Sequence, residues 1–190
     1  MKGWTWVMGG LALAGCDASE GTRLRCEPVV DGAPRALIHH DRWRVATAEE
    51  DPWAEHRPVD VSCPPEARQP EDFGGTYAFS IQTGQCPYTT LVQETLADAC
   101  EGESLFVWVW NFGLTAPEKA TAHLGVRLGP TDWSATRAIP SPAALVAEEV
   151  IVAEDAPAGT PIFFHVRNHG ANSYELLDLT IVAPGDTPQQ

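Results

Sequence analysis

Three stretches of the chain carry side chains suited to binding chemistry. Residues 105–112 read Leu-Phe-Val-Trp-Val-Trp-Asn-Phe. Successive side chains of an extended strand point to opposite faces, so Phe106, Trp108, Trp110 and Phe112 share one face, and Leu105, Val107, Val109 and Asn111 the other. In residues 161–169 the same alternation sets Phe164, Val166 and Asn168 against Phe163, His165, Arg167 and His169. In residues 122–128 it sets Leu124, Val126 and Leu128 against His123 and Arg127. Flat aromatic rings beside planar donors are what a sugar ring needs: its apolar face stacks on Trp and its hydroxyls pair with Arg, Asn and His. If the three faces adjoin, Trp108, Trp110, His123, Arg127, His165, Arg167 and His169 form one aromatic and partly basic surface. The plainer alternative makes the Trp residues a core layer and the His and Arg residues a solvated sheet face.

Metal and catalytic chemistry find less in the sequence. His165 and His169 lie four strand residues, or about 13 Å, apart, whereas metal–nitrogen bonds are about 2 Å. His123 with His165 on neighbouring strands is the easier pair. His39 and His40 would point to opposite faces, and no Asp-x-Asp-x-Asp-Gly calcium loop occurs. No metal site and no cofactor is assigned. There is no Gly-x-Ser-x-Gly elbow and no His-Glu-x-x-His pair. Glu49-Glu50 and Glu148-Glu149 would alternate faces in a strand. Beyond Lys2 the only lysine is Lys119, so no Gly-Lys-Ser/Thr phosphate loop exists. No catalytic residue is assigned; a hydrolase that draws two acids from distant strands stays an alternative.

The elements that position these residues are strands. From residue 76 onward, runs rich in β-branched and aromatic residues alternate with Gly, Pro, Asn and Asp breaks. The predicted strands are 77–82, 89–93, 104–112, 122–128, 133–139, 146–153, 161–168 and 174–182. Eight strands at this spacing predict an all-β fold, an antiparallel β-sandwich of jelly-roll type with little helix. Residues 91–100 and 142–149 carry the only helical signals. Residues 35–75 hold shorter strand-like runs at 35–39, 43–47 and 59–63. They form a small disulfide-tied segment, either part of the sandwich or separate from it. Residues 16–34 read as a tether, 76–183 as the sandwich and 184–190 as a frayed tail.

Composition narrows the partners. The 190 residues carry 12 Lys+Arg against 26 Asp+Glu, a net charge of −14. Phosphate backbones need a basic face, so nucleic acid is excluded as a partner.

The N-terminus is an address. Lys2 precedes an apolar stretch, residues 4–15, too short to span a bilayer as a helix and of the length of a signal-peptide core. It ends in Leu13-Ala14-Gly15-Cys16, which resembles the lipobox of bacterial lipoproteins. The resemblance implies that residues 1–15 are a signal peptide, that Cys16 receives a diacylglyceryl group, and that cleavage makes Cys16 the N-terminus. Several acyl chains on one residue anchor stably. The expected location is therefore a bacterial membrane, at its periplasmic face or at the cell surface.

Four cysteines remain, Cys26, Cys63, Cys86 and Cys100. An exported chain meets an oxidising compartment, so two disulfides are expected. Of three possible pairings, Cys26–Cys63 and Cys86–Cys100 close the most local loops. The layout from Asp155 through the 169–172 turn to the strand at 174–182 is similar to the end of galactose-binding-like and carbohydrate-binding jelly rolls. That resemblance implies a fold, and sugar binding only by analogy. The sequence thus points to a lipid-anchored envelope protein with a non-catalytic ligand-binding sandwich and a glycan as first ligand. A structural or assembly lipoprotein that binds other envelope proteins is the rival reading.

Overall fold

The computed structural model describes Cys26 and residues 33–182. The expected signal peptide, Cys16, most of the tether and the tail at 184–190 lie outside the described residues. Among the described residues eleven strands occur: β1 (Arg35–Ala36), β2 (Arg44–Val45), β3 (Arg68–Phe73), β4 (Thr76–Gln82), β5 (Tyr88–Glu94), β6 (Ser104–Asn111), β7 (Ala120–Leu128), β8 (Thr131–Ile139), β9 (Ala144–Ile151), β10 (Pro161–Arg167) and β11 (Ser173–Val182). The helical pieces among the described residues are one-turn 3-10 segments, and none is long or apolar enough to cross a membrane.

One sheet runs β3-β4-β11-β6-β9, with β1 on β11, and the other runs β2-β5-β10-β7-β8. All pairings are antiparallel. The last eight strands thus form two four-stranded sheets, β4-β11-β6-β9 and β5-β10-β7-β8. Each successive strand from β4 to β7 switches sheet, and β8 to β11 return in the reverse sense beside them. This is the order of a jelly roll. The alternating apolar positions bury as expected. Leu105, Val107, Val109, Leu176, Leu179 and Ile181 of the first sheet meet Leu124, Val126, Leu128, Ile162, Phe164 and Val166 of the second in one core.

A phase change in the sequence is absorbed by a bulge. Tyr174 and Leu176 are buried on the core side, and so are Leu179 and Ile181, which are out of step with them by one residue. The register shifts between Leu176 and Asp178. The extra residue, Leu177, resets the alternation so that both halves of β11 present aliphatic side chains inward. His40 Nε2 lies 3.2 Å from the carbonyl of Leu177.

Residues 35–75 belong to the sandwich. β1 extends the β11 side of one sheet, β2 flanks β5 in the other, and β3 forms a hairpin with β4. The expected strand at 59–63 is irregular, and β3 takes its place, with Pro70 tolerated because β3 is an edge strand. The predicted strands at 89–93 and 146–153 form, and neither of the overlapping helical signals becomes a helix. Residues 88–94 and 144–151 are strands, because long-range pairing with β10 and β6 outweighs local propensity.

The four cysteines form two disulfides, but the pairs are Cys26–Cys100 and Cys63–Cys86. The local pairing Cys26–Cys63 with Cys86–Cys100 is corrected. Loop-closure entropy grows only logarithmically with length, so the two schemes differ by about 1 kcal/mol. Strand placement decides instead: Cys86 sits in the β4–β5 turn and Cys100 in the β5–β6 loop.

Candidate functional site

The two sheets present different outer faces. On the β6 sheet, Trp108 and Trp110 are half-buried and point away from the core formed by Val107 and Val109. Across the sheet Trp110 lies opposite Leu145 and Glu175, and Trp108 opposite Ala147 and Asp178. The β3–β4 hairpin reaches this face through Phe73. Its two-residue loop, Gly74-Gly75, has positive φ at both positions (62° and 91°). A side chain rarely adopts that conformation, and the tight primed turn requires it. Phe73 then packs against Trp110 (ring centroids 6.2 Å) and edge-on to Phe112 (5.7 Å). Trp110 and Phe112 complete a three-ring cluster at 6.3 Å. Phe112 remains 45% exposed, so the cluster is open to solvent on one side. The indole Nε1 atoms of Trp108 and Trp110 have no hydrogen-bond partner among the described residues.

Beside the rings runs a polar chain. Ser173 Oγ donates to Gln82 Oε1 (2.7 Å), Gln82 Nε2 donates to Ser80 Oγ (3.1 Å), and Ser80 Oγ donates to Glu175 Oε1 (3.1 Å). Glu175 is buried, and burial pushes its carboxyl up to about 7, against the Ser80 hydrogen bond and with Glu71 adding to the rise. No described residue donates to its Oε2.

The His and Arg residues lie on the outer face of the other sheet, on the far side of the sandwich from Trp108 and Trp110. The two halves of the expected surface therefore do not adjoin. The register of β10 against β7 does place His123, Arg127, His165 and Arg167 on one outer face, with His123 directly across from Arg167. His165 is sealed within it. Trp53 stacks on the His165 ring at 4.8 Å, and Tyr88 meets it edge-on at the same distance. Trp53 fits because residue 125 is glycine: a Cβ there would lie 2.5 Å from Trp53 Cζ2. Arg127 lies 5.4 Å from the Trp53 ring and pairs with Asp132 at 3.0 Å. His123 touches Trp53 edge-on at 6.4 Å.

Beneath Trp53 is a buried polar knot that the sequence reading missed. Asp51 accepts from Tyr88 Oη (2.7 Å), Thr90 Oγ1 (2.8 Å), the Trp53 amide (2.9 Å) and Arg57 (3.2 Å). Burial alone would raise the Asp51 carboxyl; the Tyr88, Trp53 and Thr90 donors hold it below its ordinary value. Thr90 spends its proton on Asp51, so His165 Nδ1, 2.9 Å away, donates to Thr90. His165 is then a neutral imidazole. Burial pushes it down to about 3, and His123 and Arg167 reinforce this against the opposing charge of Asp51. Burial likewise lowers His123, with Arg167 and His56 adding to it. Among the described residues no three His, Cys, Asp or Glu side chains converge on a metal-sized space. This knot fastens the 51–57 segment onto the sheet. Gly125, isolated within a strand, is the sequence signal of that close approach.

Arg167 and His169 part from the knot and line a groove of about 530 Å³ with Lys119, Thr121 and Glu118. A second groove of about 430 Å³ lies at the opposite end of the same face, between Arg42, Arg44 and Phe163. Its Arg44 is held bidentate by Glu50 at 2.6 and 2.7 Å.

The strand order defines a jelly-roll β-sandwich with one aromatic outer face and one that carries the His and Arg residues. No family model and no curated protein matches the chain. Among solved structures the chain is similar to carbohydrate-binding modules. One, in complex with beta-1,4-galactotriose, is 14% identical over 78% of this chain and 99% of that one, with a TM-score of 0.46. One specific for non-crystalline cellulose is 10% identical over 82% and 97%, with a TM-score of 0.47. One described for specific mannan recognition is 7% identical over 79% and 94%, with a TM-score of 0.44. The jelly-roll assignment rests on the strand order itself.

Proposed function

We propose that the protein is a non-catalytic glycan-binding module of an exported, lipid-anchored envelope protein, and that the ligand lies on the outer face of the β6 sheet. The observation that carries this reading is the half-open cluster of Trp110, Phe73 and Phe112 with Trp108 beside it. Aromatic rings left partly in water on a sheet face offer a platform for the C–H face of a sugar. The exposed Gln82, held by Ser80 and Ser173, and the half-buried Asp178 supply donors and acceptors next to that platform for its hydroxyls. The anchoring part rests on Leu13-Ala14-Gly15-Cys16. Two disulfides in a chain of this size suit an oxidising, extracytoplasmic compartment.

The test is thermal unfolding of the purified protein against a panel of neutral oligosaccharides. A ligand at a hundredfold excess over its dissociation constant stabilises by about 2.7 kcal/mol. The expected result is a saturable rise in the midpoint for at least one glycan, abolished in Trp110→Ala. A flat panel overturns the glycan reading. The exposed Leu145 and Ile151 on the β9 edge of this face (37% and 58%) would then favour a protein-contact role.

A further inference from the structure

We propose that the groove between the β6–β7 loop and the end of β10 is an oxyanion site that takes the carboxylate of a uronic acid residue. Its bases come from both walls, Lys119 from the loop and Arg167 and His169 from β10 and the turn after it. The anion part of this assignment rests on the groove alone, on the far sheet from the aromatic platform; the sugar part rests on the glycan-binding function proposed above.

Arg167 is the unusual member. Of the other arginines on this face, Arg44 has Glu50 at 2.6 Å, Arg57 has Asp51 at 3.2 Å and Arg127 has Asp132 at 3.0 Å, while Arg42, which forms no ion pair among the described residues, is exposed to water. Among the described residues Arg167 has no ion pair, and its Nε is buried without a hydrogen-bond partner. It is half-buried and faces His123 across the ladder. A guanidinium drawn partly out of water without a counter-charge is costly. In a chain of net charge −14, acids to pair it would be easy to place. An anion supplied from outside the chain resolves the imbalance, and the planar guanidinium fork matches a carboxylate through two parallel N–H···O bonds.

The walls are also built to hold their shape. Asn172 Oδ1 accepts from the Thr115 amide at 2.6 Å, and its Nδ2 donates to the Thr115 carbonyl at 3.0 Å. Gly170, at φ 103°, lets the turn lie against the loop; a Cβ there would be 2.2 Å from the Thr115 oxygen. The groove's volume of about 530 Å³ falls within the range of about 300–1,000 Å³ typical of small-ligand sites. Glu118 also lines the groove and forms no ion pair with Lys119 or Arg167. Its charge disfavours a dense polyanion and leaves room for a single carboxylate.

The test is calorimetric titration at fixed ionic strength with three probes: a galacturonic acid trisaccharide, the neutral galactose trisaccharide and inorganic sulfate. The uronate should bind about tenfold or more tightly than either other probe, and Arg167→Gln should remove that advantage. Lys119→Ala, on an exposed loop position and without risk to the core, should weaken uronate binding several-fold. Uronate binding that is no tighter than neutral binding overturns the proposal, and so does uronate affinity unchanged in both variants. Sulfate binding equal to uronate binding overturns the sugar-acid assignment in favour of a free anion.

Discussion

Acidification should act in opposite directions on the two faces of the sandwich. His165 is fully buried and neutral, with a folded value near 3 against an ordinary value of 6.5. Its unfolded form binds a proton that the folded form refuses, so its stabilising contribution is lost as pH falls below 6.5. Glu175 is the reverse. Its folded value is near 7 against an ordinary 4.5, so its penalty is absent at low pH and grows as pH rises from 4.5 toward 7. At about 1.4 kcal/mol per pH unit, lowering the pH from 7 to 4.5 should cost about 3 kcal/mol through His165 and return about 3 kcal/mol through Glu175. The two nearly cancel in the wild type.

Single substitutions should uncover each slope. His165→Asn places an amide nitrogen where Nδ1 donates to Thr90, but it does not titrate. Relative to the wild type this variant should gain about 3 kcal/mol on going from pH 7 to 4.5. Glu175→Gln should lose about the same. The sites lie on opposite faces, so the effects should add in the double variant. The assay is denaturant unfolding followed by circular dichroism at half-unit pH steps. If both variants track the wild type within about 1 kcal/mol across this range, burial does not set these protonation states and the reasoning fails.

Other expected outcomes follow from single contacts. Gly125→Val should drive Trp53 off His165 and cost about 2 kcal/mol or more, with a red-shifted tryptophan emission as the local readout. Tyr88→Phe removes the hydroxyl that reaches Asp51 and the Trp53 carbonyl (2.9 Å), and thermal unfolding should show a loss of about 1–3 kcal/mol. Non-reducing peptide mapping should recover Cys26 with Cys100 and Cys63 with Cys86, and no Cys26–Cys63 peptide.

The strands were legible because their patterns are strong. The two-sided apolar run at 105–112 could only be a central strand, and β6 does lie between β11 and β9. Alternation also assigned the correct faces within each strand: Val107 and Val109 are inward, and His123, Arg127, His165 and Arg167 share one outer face. Which outer faces adjoin was not legible, because that is set by strand order across the sandwich rather than by any local pattern. The jelly-roll order puts β6 and β10 in different sheets and so parts the tryptophans from the histidines. The docking of residues 51–57 was missed for a similar reason. Asp51, Trp53, Tyr88, Thr90 and His165 come together only in three dimensions, and Gly125 alone hinted that something presses on the sheet. The strand predicted at 89–93 forms, and the overlapping helical signal at 91–100 loses to the pairing of β10 with residues 88–94.

The central claim is that the open aromatic face around Trp110 binds a neutral glycan. Its most direct test is isothermal titration of the panel's best neutral oligosaccharide into wild type, Trp110→Ala and Arg127→Ala. The account predicts that Trp110→Ala weakens binding by about tenfold or more, the loss of a stacked ring. It predicts that Arg127→Ala, on the opposite face, leaves the affinity within about twofold. Unchanged affinity in Trp110→Ala, or a loss confined to Arg127→Ala, would contradict it and move the site to the other sheet.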